Sequence, residues 1–160
     1  MDRLLSWDRL ELRMRGEKLA LLARRMLAAK RVPVSLDRLE FREGMAIAEG
    51  TLRKGLPIPF RFTLRRVRLE GRIARIPIED LSVLGFLPVP SLLFRVAEGF
   101  AAVDGVTVDP KERGVIIALD RFLPDFVEVE IEAIRFVAGG VAVTMGPGGA
   151  DLPEPSGGFQ

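Results

Sequence analysis

The chain has 160 residues, 48% of them hydrophobic, and a formal net charge of +2. That length suits one domain with a sizeable core, and no run reaches the ~20 apolar residues that a bilayer-spanning helix needs. Cysteine, histidine and tyrosine are all absent, which excludes a disulfide framework and thiol chemistry and removes the usual general base and the commonest metal ligand.

The charge is unevenly spread. Residues 1–75 hold 19 Lys and Arg against 9 Asp and Glu, a balance of +10; residues 76–160 hold 5 against 13, a balance of −8. Two readings follow. The halves lie side by side and neutralise each other, or the basic half is a face for anionic headgroups or for the acidic face of a second copy. Arginine dominates the basic residues, which points to a GC-rich, thermophilic source. The N-terminal stretch MDRLLSWDRLELRMRG has no continuous apolar segment, so no signal peptide is read there and the cytoplasm is the expected location.

In chain order, residues 8–14 alternate, with Leu10, Leu12 and Met14 on one side, and read as a first strand. A helix is expected from Glu17 to Lys30, with Leu19, Leu22, Ala23, Met26 and Leu27 as its apolar stripe. Its cationic back suits a solvated face and is also the pattern of a helix that lies on a membrane. Val34–Phe41 and Met45–Arg53 form a hairpin around Glu43-Gly44. Ala46, Ala48, Gly50 and Leu52 share one face of its second strand, small enough for another element to approach closely.

Pro59–Glu70 reads as a long strand. Phe60, Phe62 and Leu64 share a face, the parity changes at Arg65-Arg66, and Val67 and Leu69 restore the apolar side, as a β-bulge would. After a turn at Glu70-Gly71, Arg72–Ile78 returns. Leu84–Ala102 reads as an apolar approach, a gate at Pro88 and Pro90, and a helix over about 90–103 carrying Leu92, Leu93, Val96 and Phe100. Short strands at Val106–Val108 and Val115–Leu119 follow. Phe126–Val137 is a second long strand with a mid-strand slip and an exposed stripe of Glu128, Glu130 and Glu132. Gly139-Gly140 turns into Val141–Met145. The tail 146–160 is expected to be disordered.

The predicted fold is α+β: one domain over residues 1–145, a strongly curved, mainly antiparallel sheet wrapped around two helices.

No catalytic constellation is present, and no enzyme activity is expected. Glu79-Asp80 are neighbours on a strand and point to opposite faces. Asp104, Asp109 and Glu112 lack calcium-loop spacing. Ser82 and Ser91 have no histidine partner, and no glycine-rich loop leads from a strand into a helix. Arginine alternating with phenylalanine at 60–62 is a feature of single-strand nucleic-acid platforms. The acidic second half argues against nucleic acid as partner. No cofactor or metal is expected.

Several stretches carry a resemblance: Glu43-Gly44 with Met45-Ala46-Ile47, GLPIPF at 55–60, VLGFLPVPSLLF at 83–94 and FVAGGVAVTM at 136–145. Over residues 8–145 the layout resembles the tubular lipid-binding superfamily, in particular the bacterial LmeA-like phospholipid-binding proteins. The resemblance implies an apolar trough lined by Phe60, Phe62, Leu64, Leu84, Phe86, Leu87, Leu92, Leu93, Val96 and Phe100. It implies anionic headgroup contacts at Arg61, Arg65, Arg66 and Arg68. The expected function is binding of lipid or another apolar small molecule, with peripheral membrane contact. The alternative is a homo-oligomeric structural or interaction module with a fully packed core.

Overall fold

The computed structural model describes residues 3–29, 33–83, 105–109 and 111–151. Alternating apolar and polar residues between tight turns make strands of most of them. In order these are β1 (Arg3–Trp7), β2 (Leu10–Arg15), then helix α1 (Gly16–Ala29), β3 (Val34–Arg42), β4 (Met45–Lys54), β5 (Leu56–Leu64) and β6 (Arg68–Glu70). They continue with β7 (Ile73–Val83), β8 (Val106–Asp109), β9 (Gly114–Ala118), β10 (Val127–Val137) and β11 (Gly140–Asp151). Among the described residues no helix is long and apolar enough to cross a membrane.

The strands form two sheets, antiparallel at every pairing. One runs β3-β4-β5-β7-β9-β8, with β6 continuing the β5 edge along β7. The other centres on β11, with β10 on one side and β1 and β2 in succession along the other. The chain slips where the parity of residues 59–70 changes. Residues 65–67 leave the strand, and β5 and β6 resume against the same neighbour. The β10 register shifts between Val129 and Ala133, before the change of parity at Ala133-Ile134 where the slip is expected.

The sheets meet through one core. Ala46 and Ile76 from the first pack with Phe136, Val141 and Val143 from the second, and Leu19 of α1 joins them. At one end three backbone bonds tie the elements together. The Gly44 N–H donates to the Phe136 carbonyl (3.0 Å), Gly139 N–H to Phe41 (3.1 Å) and Gly16 N–H to Gly139 (2.8 Å). Gly44 and Gly139 adopt φ +76° and +81°, the left-handed turn conformation that favours glycine, so the two hairpin tips can lie against each other.

This corrects the predicted fold class. Among the described residues there is one α-helix, and a second sheet packs on part of the larger one. The physical reason lies in β10 and β11. Ile131, Ile134 and Phe136 on β10, with Val141, Val143 and Met145 on β11, make an apolar surface that must be buried. The larger sheet is the surface they meet. Strand periodicity shows that an apolar side exists but not what covers it. The helix expected at 90–103 lies outside the described residues.

Three smaller corrections follow. The strand expected at residues 8–14 is β2, and a strand that was not expected, β1, precedes it; both pair with β11. The domain does not stop at residue 145, because β11 runs on to Asp151, with Ala150 opposite Val127 and Gly148 opposite Trp7. The buried stripe of α1 includes Ala20, while Leu22 is 53% exposed.

The charged halves of the sequence do pair. Arg3 binds Glu128, Arg72 binds Asp120 at 2.7 Å, and Arg75 binds Glu112 at 3.1 Å. On the outer face of the smaller sheet Glu11 lies between Arg13 (3.4 Å) and Arg135 (3.9 Å). Ala142 sits between those two arginines in the sheet register and is fully buried, as expected where long aliphatic stems cover a small residue.

Candidate functional site

The most apolar recess lies between α1 and the inner face of the larger sheet. It arises from three local patterns. The helical spacing of Ala23, Met26 and Leu27 turns them toward the sheet. Strand alternation puts Val34 and Leu36 of β3, and Phe60 and Phe62 of β5, on the side facing them. Val106, at the start of β8, completes the wall. These eight residues line a partly open cavity of about 150 Å³, with no charged side chain among them.

Beside it lies a packed cluster in which Leu52 is fully buried with Val34, Phe60 and Val83, backed by Ile58, Phe62 and Leu81. The Phe60 and Phe62 rings are parallel, 6.0 Å apart. Gly50 makes room for them. A Cβ there would stand 2.6 Å from Phe60 Cζ and 2.5 Å from the Ser35 carbonyl oxygen. Arg24 fastens the helix over the recess. Its Nε donates to the Leu36 carbonyl (2.9 Å) and its Nη2 to the Asp37 carbonyl (3.0 Å).

Of the trough residues expected from the sequence, Phe60 and Phe62 line this cavity. Leu64 packs into the adjoining cores with Ile76 and Ile78. Leu84, Phe86, Leu87, Leu92, Leu93, Val96 and Phe100 lie outside the described residues. The helix residues had been legible as an apolar stripe, but their place over Phe60 had not. Val34, Leu36 and Val106 carried no signal beyond strand alternation.

The expected headgroup arginines are not at this cavity. Arg61 alternates with Phe60 and Phe62 and so faces the other side of the sheet, 3.8 Å from Glu49. Arg65 is held by Glu79 (2.7 Å) and Asp80 (3.1 Å); the hydrogen bond it donates to Glu79 is the main cause that raises its pKa above the ordinary arginine value. Both border an open outer groove of about 380 Å³ floored by Met45, Ile47 and Thr63. Arg66 is exposed between β5 and β6. Arg68 borders a different groove of about 460 Å³ with Glu70, Arg75 and Glu112.

Glu79 and Asp80 do converge, contrary to the alternation expected of strand neighbours. Two residues of β7, Asp80 and Leu81, stand opposite Phe62 alone, because Arg61 pairs with Ser82 and Thr63 with Glu79. Asp80 has φ +52°. This bulge brings both carboxylates onto Arg65. Among the described residues no group of three or more His, Cys, Asp or Glu could hold a metal ion.

No family model, no curated protein and no solved structure matches the chain. The functional reading therefore rests on the site itself. Among the described residues its lining is apolar and offers dispersion contacts and exclusion of water.

Proposed function

We propose that the protein binds an apolar ligand, the end of a lipid acyl chain or a small hydrocarbon ring, between α1 and the larger sheet. The observation that carries this reading is the cavity of about 150 Å³ walled by Phe60, Phe62, Met26, Leu27 and their neighbours. Apolar cavities of about that size stay dry and take up benzene-sized molecules. Pockets for larger organic ligands measure ~300–1,000 Å³, so a whole lipid does not fit and a chain end does.

Size also fixes strength. Burial of about five methylene groups at ~0.8 kcal/mol each contributes ~4 kcal/mol, the millimolar range. A ligand held more tightly needs contacts beyond this cavity. Lipid or apolar-ligand binding is also what the resemblance to the tubular lipid-binding superfamily implies.

The test uses ligand-observed NMR with benzene and octanoate at millimolar concentration, alongside organic extraction and mass spectrometry of the purified protein. The expected result is binding of both probes by the wild type and its loss in Ala23→Leu, which fills the cavity from the helix side, with thermal stability kept. Failure of both probes to bind the folded wild type, with no lipid extracted, would overturn the reading.

A further inference from the structure

The outward side of α1 is built unlike an ordinary solvated back. Leu21 and Leu22 are 40% and 53% exposed at its centre, and Lys18, Arg25 and Ala29 continue the same face at helical spacing. Lys18 and Arg25 are the cations of that face, and Glu17 in the first turn is its one acid. No described residue forms an ion pair with Lys18 or Arg25. Large apolar side chains held in water beside a net positive charge call for a surface that is both anionic and penetrable.

We infer that the outer face of α1 docks on an anionic lipid surface. The cations meet the headgroup charge and the leucines reach the acyl boundary, the arrangement of helices that lie in a membrane interface. Charge decides against a second copy. A two-fold dimer through this face would set the same basic patch against itself, whereas an anionic leaflet is complementary to it. The inference goes beyond the ligand cavity and does not depend on it, since vesicle binding and probe binding are separate measurements on opposite sides of one helix.

The experiment is co-sedimentation of the full chain with phosphatidylcholine vesicles and with vesicles containing phosphatidylserine. The wild type should pellet with the latter and not the former, and added salt should release it. Lys18→Glu with Arg25→Glu should weaken partitioning at least about tenfold, at ~1 kcal/mol per basic residue. Leu21→Ser with Leu22→Ser should weaken it severalfold with the circular dichroism spectrum unchanged, because both side chains are already exposed. Equal pelleting with both vesicle types would overturn the inference. So would a leucine variant that partitions like the wild type, or a concentration-dependent dimer that this variant abolishes.

Discussion

The ring of Phe60 lies parallel to that of Phe62, 3° apart in plane with centroids at 6.0 Å, yet the two do different work. Phe60 is 5% exposed and packs with Leu52 and Val83; Phe62 is half-buried, and both border the cavity. Phe60→Ala should cost about 3–5 kcal/mol, the range for a large ring lost from a core. Phe62→Ala should cost less, because its ring is less enclosed, and should widen the cavity enough to admit larger rings than benzene. Urea denaturation of the two variants, with ligand-observed NMR using naphthalene, checks both halves. Equal destabilisation by both variants would mean that the recess is ordinary core.

Gly50 tests how tightly the sheet closes over those rings. A Cβ at 2.6 Å from Phe60 Cζ could be relieved by ring movement, but the Ser35 carbonyl oxygen at 2.5 Å is backbone of the neighbouring strand. Gly50→Ala should therefore cost about 1–3 kcal/mol, as overpacking does. Gly44→Ala meets no atom within 4 Å, and its cost of ~1–2 kcal/mol comes from the left-handed φ alone. Thermal unfolding followed through Trp7, which packs on β11 at Gly148, compares the two.

Those two glycines also show how much could be read from the sequence. Gly44 stood in a turn signature between alternating segments, so its hairpin was legible. Gly50 was legible as one of a row of small residues, and close approach was expected there; that the approaching group would be Phe60 from the adjacent strand was not. Local periodicity placed most strands, the slip at residues 65–67 and α1, and it put the β10 slip at Ala133-Ile134, after the observed one. It could not choose among covers for an apolar face, so the packing of β10 and β11 on the larger sheet was not legible. Leu22 was assigned to the buried stripe because its hydrophobicity fits there, and nothing in the local sequence distinguishes it from Ala20. Phe60 and Phe62 were recognised as facing an apolar interior, but Val106 joins them only through the return of β8 and β9 to the sheet.

The outer face of the larger sheet predicts an acid response. Glu40 accepts hydrogen bonds from Arg42 (3.0 Å) and Arg38 (2.9 Å). The Arg42 bond is the largest cause that holds its pKa below the ordinary 4.5, and the charges of both arginines add to it. A carboxyl whose folded pKa is depressed contributes stability above its unfolded value, and that contribution is lost as pH falls through the folded value. The urea midpoint should therefore decline as pH drops below about 4.5. Glu40→Gln should be less stable at neutral pH and flatter across that window. Parallel curves for the two proteins would show that Glu40 adds nothing to the acid response.

Arg24 connects stability to ligand access. Its guanidinium donates to two successive carbonyls of β3, at Leu36 and Asp37, and Leu36 is a wall of the cavity. The site is exposed, so truncation costs less than a buried charged bond would; about 1 kcal/mol is expected for Arg24→Ala. The loss should be local, because the buried contacts of α1 at Ala20 and Leu27 remain. Amide exchange in the C-terminal half of the helix should quicken while the β10–β11 hairpin keeps its protection. Octanoate should then exchange faster at similar affinity, and Arg24→Lys should restore little, because one ammonium cannot reproduce a two-pronged grip. Uniform acceleration of exchange across both sheets would instead mean that Arg24 supports the whole fold and not the helix over the cavity.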